Sequence, residues 1–327
     1  MRVTPTLPLG KLRAALLIVA CLFLPLRQAA AADKIILGVV SHGALQWPEY
    51  TAQSFGWFKE NGVDIDMVTV GGSAAQQLAA GALNIGYSGF PDFIRAANQG
   101  APMKIVINGI GTPPYAIYAK PTIKSIKELK GKVISIGAAK DITTIYTSAF
   151  LQSAGLTVKD VDFIYAKATP DRFAALVAGG VDAAILFPPF TFRAGTQGFT
   201  NLGDIEPYLK GYPFTVYAVN TGWAQKNERA VLGFVKAYGK AVRWLYDPAN
   251  KEEAVKILVK FAKSDAKDSA DTYDYFTKIA AFSKDGLVSP SVFKTMGEGL
   301  VWLGDLTAPV PPMTNFFDTK YVDKAWK

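Results

Sequence analysis

One cysteine and one histidine serve all 327 residues, Cys21 and His42. Once a leader that includes Cys21 is removed, no thiol remains for a disulfide, a thiolate metal site or a nucleophile. With one imidazole besides, a transition-metal centre would have to be built almost wholly from carboxylates, so no metal is expected. Cofactor and hydrolase signatures are also missing: there is no P-loop, no G-x-S-x-G and no H-E-x-x-H. The glycine pair at Gly109 lacks the third glycine and the following helix of a dinucleotide site. Ser41 and His42 are adjacent, and neighbours on an extended strand point apart, which makes a poor nucleophile–base dyad. The carboxylates are scattered. Nothing in the chain demands catalysis, and no cofactor is expected. After residue 32 there is neither a dense Lys/Arg block nor a long apolar run, so nucleic acid and a membrane span are not expected.

What the N-terminus does contain is an export signal. Arg2, Lys11 and Arg13 precede an apolar stretch from Ala14 to Leu24, and "QAAAAD" offers an A-x-A cleavage site ending at Ala31 or Ala32. Residues 1–32 are read as this signal peptide, with a mature chain starting near Asp33. The alternative is a lipoprotein, because Ile18-Val19-Ala20-Cys21 resembles a lipobox; the apolar run continues past Cys21 and favours the unlipidated form. The leader takes four of the 35 basic residues and no acid, leaving 31 against 27. That mild surplus suits solubility. The remaining 295 residues are half apolar and long enough for two lobes.

Local patterns alternate. "KIILGVV" reads as a buried strand, Pro48 to Gly62 as a helix, "VDIDMVTV" as a strand, "GGSAAQQLAAG" as a turn and helix, and "ALNIGYSG" as a third strand. The pattern then repeats 98 residues later. Val161–Pro189 lies over Val63–Pro91 without a gap, matching Val63/Val161, Asp64/Asp162, Leu78/Leu176, Ala80/Ala178, Gly81/Gly179 and Pro91/Pro189. Ser73 lies over Asp171, each at an expected helix N-cap. Two α/β lobes on one plan follow, lobe one from 33–112 and 216–327 and lobe two from 113–215. Gly/Pro-rich "GIGTPPYAIYAK" and the return strand in "LKGYPFTVYAVN" cross between them as a two-strand hinge. The helical patterns after Gly222 are expected to pack on lobe one.

In open α/β sheets ligands bind beyond the carboxyl ends of the strands. In lobe one these ends carry Ser41 and His42, with Trp47 beyond as a stacking surface, then Ser73 after Gly71-Gly72, then Ser88 and Gly89. In lobe two they carry Thr143 and Thr144, read as hydroxyl and N–H donors for an anion, Asp171 as a cap or cation partner, and Phe187 as an apolar wall. Arg172 is placed on the helix rather than at a strand end. These ten residues, without Arg172, form the expected ligand-binding set.

"EYTAQSFGWFKENGVDIDMVTVGGSAAQQLAAGALNIGYSG", "IKSIKELKGKVISIG" and "FLQSAGLTVKDVDFIYAKATPDRFAALVAGGVDAAI" together resemble the substrate-binding proteins of ABC transporters. The similarity is to the periplasmic type II class, and within it to the sulfonate/nitrate/taurine-binding group and its thiamine-pyrimidine-binding relatives. It covers nearly the whole chain after the leader. The resemblance implies a periplasmic, monomeric receptor that closes on a small solute and hands it to a permease and ATPase complex in the inner membrane. A sulfonate, nitrate or taurine is implied first, an aromatic carboxylate or a pyrimidine next. Fungal relatives of this fold are enzymes using a histidine and a cysteine-rich segment. Here only His42 matches, so a non-enzymatic binder is expected. A periplasmic ligand sensor is a further alternative.

Overall fold

The computed structural model describes Met1, residues 32–209 and residues 212–326; Cys21 and the apolar part of the expected leader fall outside these. The first strand, Asp33–Val39 (β1), buries Ile35, Leu37 and Val39 completely. It runs parallel to Val63–Thr69 (β2), with Asp33 opposite Val63, and on its other side to Ile85–Gly89 (β3). Between β1 and β2 the single helix expected from Pro48 to Gly62 is broken in two, Trp47–Ser54 (α1) and Trp57–Glu60 (α2). Gly56 stands between them at φ 72, a left-handed conformation that ends a helix and that glycine adopts without strain. Ala74–Ala79 (α3) joins β2 to β3, and Phe90–Asn98 (α4) joins β3 to Met103–Ile110 (β4).

The chain then leaves for a second sheet: Ala116–Ala119 (β5), Val133–Ile136 (β6), Ile142–Gln152 (α5), Asp162–Tyr165 (β7), Thr169–Val177 (α6), Ala183–Leu186 (β8), Phe190–Thr196 (α7) and Thr200–Asp204 (β9). It returns as Thr215–Asn220 (β10), antiparallel to both β3 and β4. The strand orders are β2-β1-β3-β10-β4 and β7-β6-β8-β5-β9. They are the same plan, because β5 lies antiparallel beside β8 as β10 does beside β3. Each sheet thus receives one strand that enters from the other lobe, and two crossings join them.

The repeat extends to single hydrogen bonds. Gly81 N donates to Leu78 O at 3.1 Å and Ala82 N to Gln77 O at 3.0 Å; Gly179 N donates to Leu176 O and Gly180 N to Ala175 O at the same two distances. Both glycines are left-handed, at φ 77 and 74, so one helix-stop is used twice.

After β10 come Thr221–Lys226 (α8), Glu228–Leu245 (α9), Lys251–Ala262 (α10), Ala266–Lys278 (α11), Pro290–Trp302 (α12) and Lys320–Ala325 (α13). Val231, Phe234, Val235, Tyr238, Val242 and Leu245 recur at helical spacing and give α9 one buried face against the first sheet. The outer edge of β4 is covered too: Asn108 N donates to Gly286 O and Ile105 N to Phe316 O, both at 2.8 Å. That blunts an edge that would otherwise invite pairing.

Candidate functional site

Both sheets turn the carboxyl ends of their parallel strands toward the same seam. Contacts among the described residues cross it. The Lys167 ammonium, from the loop after β7, lies 2.7 Å from where a Cβ on Gly72 would stand. A Cβ on Gly89, at the end of β3, would stand 4.0 Å from the Ile142 methyl at the start of α5. Arg95 Nη2 on α4 donates to Lys140 O at 2.8 Å, while its Nε and Nη2 also hold Asp305.

The sequence-derived residues fare unequally. Ser41 and His42 lie exposed in the loop just past β1, which ends at Val39. His42 Nδ1 lies 2.9 Å from the Tyr50 hydroxyl, and the rings stack at 6.2 Å. Gly89 sits at the seam and Phe187 packs edge-on against Tyr115 at 5.3 Å, half-buried. Ser73 occupies the position before α3 but does not cap it. Its hydroxyl donates to Val70 O at 2.6 Å and accepts from Gln77 Nε2 at 2.7 Å. Ser88 is buried, and its hydroxyl is committed to Asp92 at 2.7 Å.

Four expectations are corrected. Trp47 is not a stacking surface for a ligand: it is 1% exposed, its Nε1 donates to Ala254 O at 2.9 Å, and its ring meets the edge of Tyr273. It joins α1 to the C-terminal helices. Thr143 and Thr144 do not offer free donors. Asp141 caps α5 by accepting from both of their N–H groups, Thr143 Oγ1 also bonds Asp141, and Thr144 Oγ1 donates to Ala138 O at 2.6 Å. The α5 terminus already holds a carboxylate. Asp171 caps nothing, because α6 starts at Thr169 and leaves Asp171 exposed in its first turn.

The residue that sequence reasoning passed over is the next one. Arg172 is on α6 as expected, but its side chain turns under the strand ends and is 1% exposed. Nε donates to Ile185 O at 2.7 Å, Nη1 to Ala166 O and Lys167 O at 2.8 Å each, and Nη2 to Thr169 Oγ1 at 2.6 Å. Four of five N–H donors are engaged, all by neutral acceptors. No carboxylate among the described residues pairs with it directly. Burial of an unpaired guanidinium is costly, and the cost is met here by three strand-end carbonyls and a hydroxyl. Tyr115, from the crossing into β5, adjoins it; burial pushes its phenol up to about 12 and Arg172 pulls the other way. Within the first sheet Thr215 Oγ1 of β10 donates to Tyr87 Oη of β3 at 2.7 Å. Tyr115 lies close to Tyr87 on one side and to Arg172 and Thr169 on the other, which leads from one lobe to the other. Burial also raises Asp92 and Asp141 above the usual carboxylate range, opposed at Asp92 by Ser88 and Arg95 and at Asp141 by Thr143 and Arg172.

YtlA of Bacillus subtilis (strain 168), which carries the name of a binding protein, is 22% identical over 293 residues, covering 87% of this chain and 88% of its own. The aliphatic sulphonate binding protein SsuA of Escherichia coli has the same fold, with a TM-score of 0.71 at 20% identity over 88% of this chain and 92% of that one. The nitrate-binding protein NrtA of Synechocystis PCC 6803 does too, with a TM-score of 0.72 at 15% identity over 90% and 86%. Both are periplasmic binding proteins. The desulfurization enzyme DSZB shares the fold at a TM-score of 0.66 and 14% identity, covering 90% of this chain and 98% of its own. The model of the family described as NMT1/THI5 like matches residues 46–251, and the chain belongs to that family.

Proposed function

We propose that this protein is an exported, monomeric solute receptor that closes its two lobes on a small organic solute or anion and delivers it to an ABC permease with its ATPase. The solute class is a sulfonate, nitrate or taurine, with aromatic carboxylates next. The observation that carries the reading is Arg172: a buried guanidinium with no direct carboxylate partner among the described residues, held under the strand ends of one lobe and bonded to the carbonyl of Lys167, whose ammonium stands over Gly72 of the other. A solute anion there gains from a charge whose desolvation is already met by protein carbonyls. Lys167 adds a second positive charge over the same seam. Ser41, His42, Ser73, Gly89 and Phe187 remain the proposed rim, and Tyr115 and Tyr87 join them as the floor.

Hinge closure is the mechanism: a ligand that touches both lobes shifts the equilibrium toward the closed form only by its differential affinity for that form. Arg172→Lys tests the reading. The lysine keeps the charge but loses the planar fork, and a charge-assisted hydrogen bond is worth about 1.5–3 kcal/mol. Anion affinity measured by calorimetry should fall roughly tenfold to a hundredfold. An unchanged affinity would remove Arg172 from the site.

A further inference from the structure

Helix α11, in the C-terminal part of the chain, has two working faces. Ser269, Thr272, Tyr273 and Phe276 are buried at i, i+3, i+4 and i+7 and hold it to the first lobe, where Tyr273 Oη donates to Leu245 O at 2.8 Å. Asp268 and Tyr275, seven residues apart, share a different face and meet the second lobe. Asp268 Oδ2 accepts from Arg193 Nε at 3.0 Å and Nη2 at 2.5 Å. Tyr275 meets Phe192 edge-on at 6.2 Å and adjoins Asp204 of β9. Arg193 and Phe192 both belong to α7, and none of these residues lies in a strand-end loop of the solute seam.

We infer that α11 is a clasp that sets how readily the lobes close, with Arg193 and Asp268 as positioning residues that never touch the solute. An opening rotation about the two crossings has to part Arg193 from Asp268 and Phe192 from Tyr275, because α11 is fixed to one lobe and α7 to the other. The ion pair is selective for the closed arrangement, and whatever it contributes there is added to the affinity of any solute that binds the closed form. Asp268 is mostly shielded while Arg193 is nearly half exposed, so the bias is modest. Partly screened pairs of this kind are worth roughly a two- to fivefold change in an equilibrium.

The test needs no solute, so its failure would leave the capture of an anion standing. The full-length chain with Cys21→Ser carries nitroxide labels at Gln76→Cys and Ala174→Cys, exposed positions on α3 and α6 on opposite sides of the seam. Distances between the labels are read by double electron–electron resonance. The parent should show a dominant short-distance population. Arg193→Ala and Asp268→Ala should each raise the long-to-short ratio roughly two- to fivefold. The reversed pair, R193D with D268R, should bring it back. Arg193→Gln replaces the alanine variant should that fail to fold, as judged by circular dichroism. Unchanged ratios in the single variants, or a reversed pair as open as they are, would overturn the clasp.

Discussion

Glu49 shows what a single buried group contributes. It lies fully buried on α1, one carboxyl oxygen accepting from the Tyr217 hydroxyl, with Tyr87 and Tyr238 close by; among the described residues the other oxygen has no partner and no cation stands beside it. Burial pushes its pKa from 4.5 to about 7, against the Tyr217 hydrogen bond. Between those values the folded chain keeps a proton that the unfolded chain gives up. Stability therefore falls as pH rises through that window and levels off above it. Glu49→Gln should flatten this slope and raise stability at pH 8 by up to about 3 kcal/mol, seen as melting temperatures that converge with the parent at pH 5. Parallel curves would mean that Glu49 is charged when buried. Trp47 makes the complementary case. Trp47→Ala should cost about 3–5 kcal/mol in urea unfolding, as for a core aromatic, and Trp47→Phe considerably less. A variant that lost solute affinity with its stability intact would return Trp47 to the site. Neither role was legible locally. Trp47 finds Ala254 across the length of the first lobe, and Arg172 finds Ile185 O only because α6 packs on β8. A lone arginine after an aspartate reads as solvated charge until the sheet beneath it is known.

At the scale of elements the sequence was far more informative, because helix stops are local events. Gly81 and Gly179 each end a helix with the same pair of hydrogen bonds, which explains why the register of the repeat holds without a gap. A side chain at either glycine would be forced into a left-handed backbone with open space around it. Gly81→Ala and Gly179→Ala should therefore each destabilise by about 1–2 kcal/mol, and by similar amounts. Denaturant midpoints decide it; a large inequality would separate the two halves of the repeat. The capping reading was wrong for Ser73 and Asp171. α3 is preceded by a tight turn, Gly71–Ser73, that uses the Ser73 hydroxyl, and α6 starts three residues earlier than the alignment suggests. Capping by Asp141 also withdrew Thr143 and Thr144 from anion binding, an outcome that a list of hydroxyls cannot anticipate.

For the molecule as a whole, the two sheets and their exchange of strands could be read from the repeat and from the two stretches that link its halves. What lies between the lobes could not. Lys167 over Gly72, Arg95 on Lys140 and Arg193 on Asp268 join residues whose sequence neighbourhoods carry no trace of one another. The proposed solute capture at the seam and the proposed clasp on α11, away from it, both act through the same closing equilibrium. The most direct test is a thermal-shift titration of the chain with alkanesulfonates, nitrate, taurine and aromatic carboxylates, repeated on Arg172→Lys. A solute at a hundred times its Kd stabilises the folded state by about 2.7 kcal/mol. The account predicts that one anion class raises the melting temperature by several degrees and that the lysine variant loses most of the shift. No shift with any anion, or an equal shift in Arg172→Lys, would contradict it.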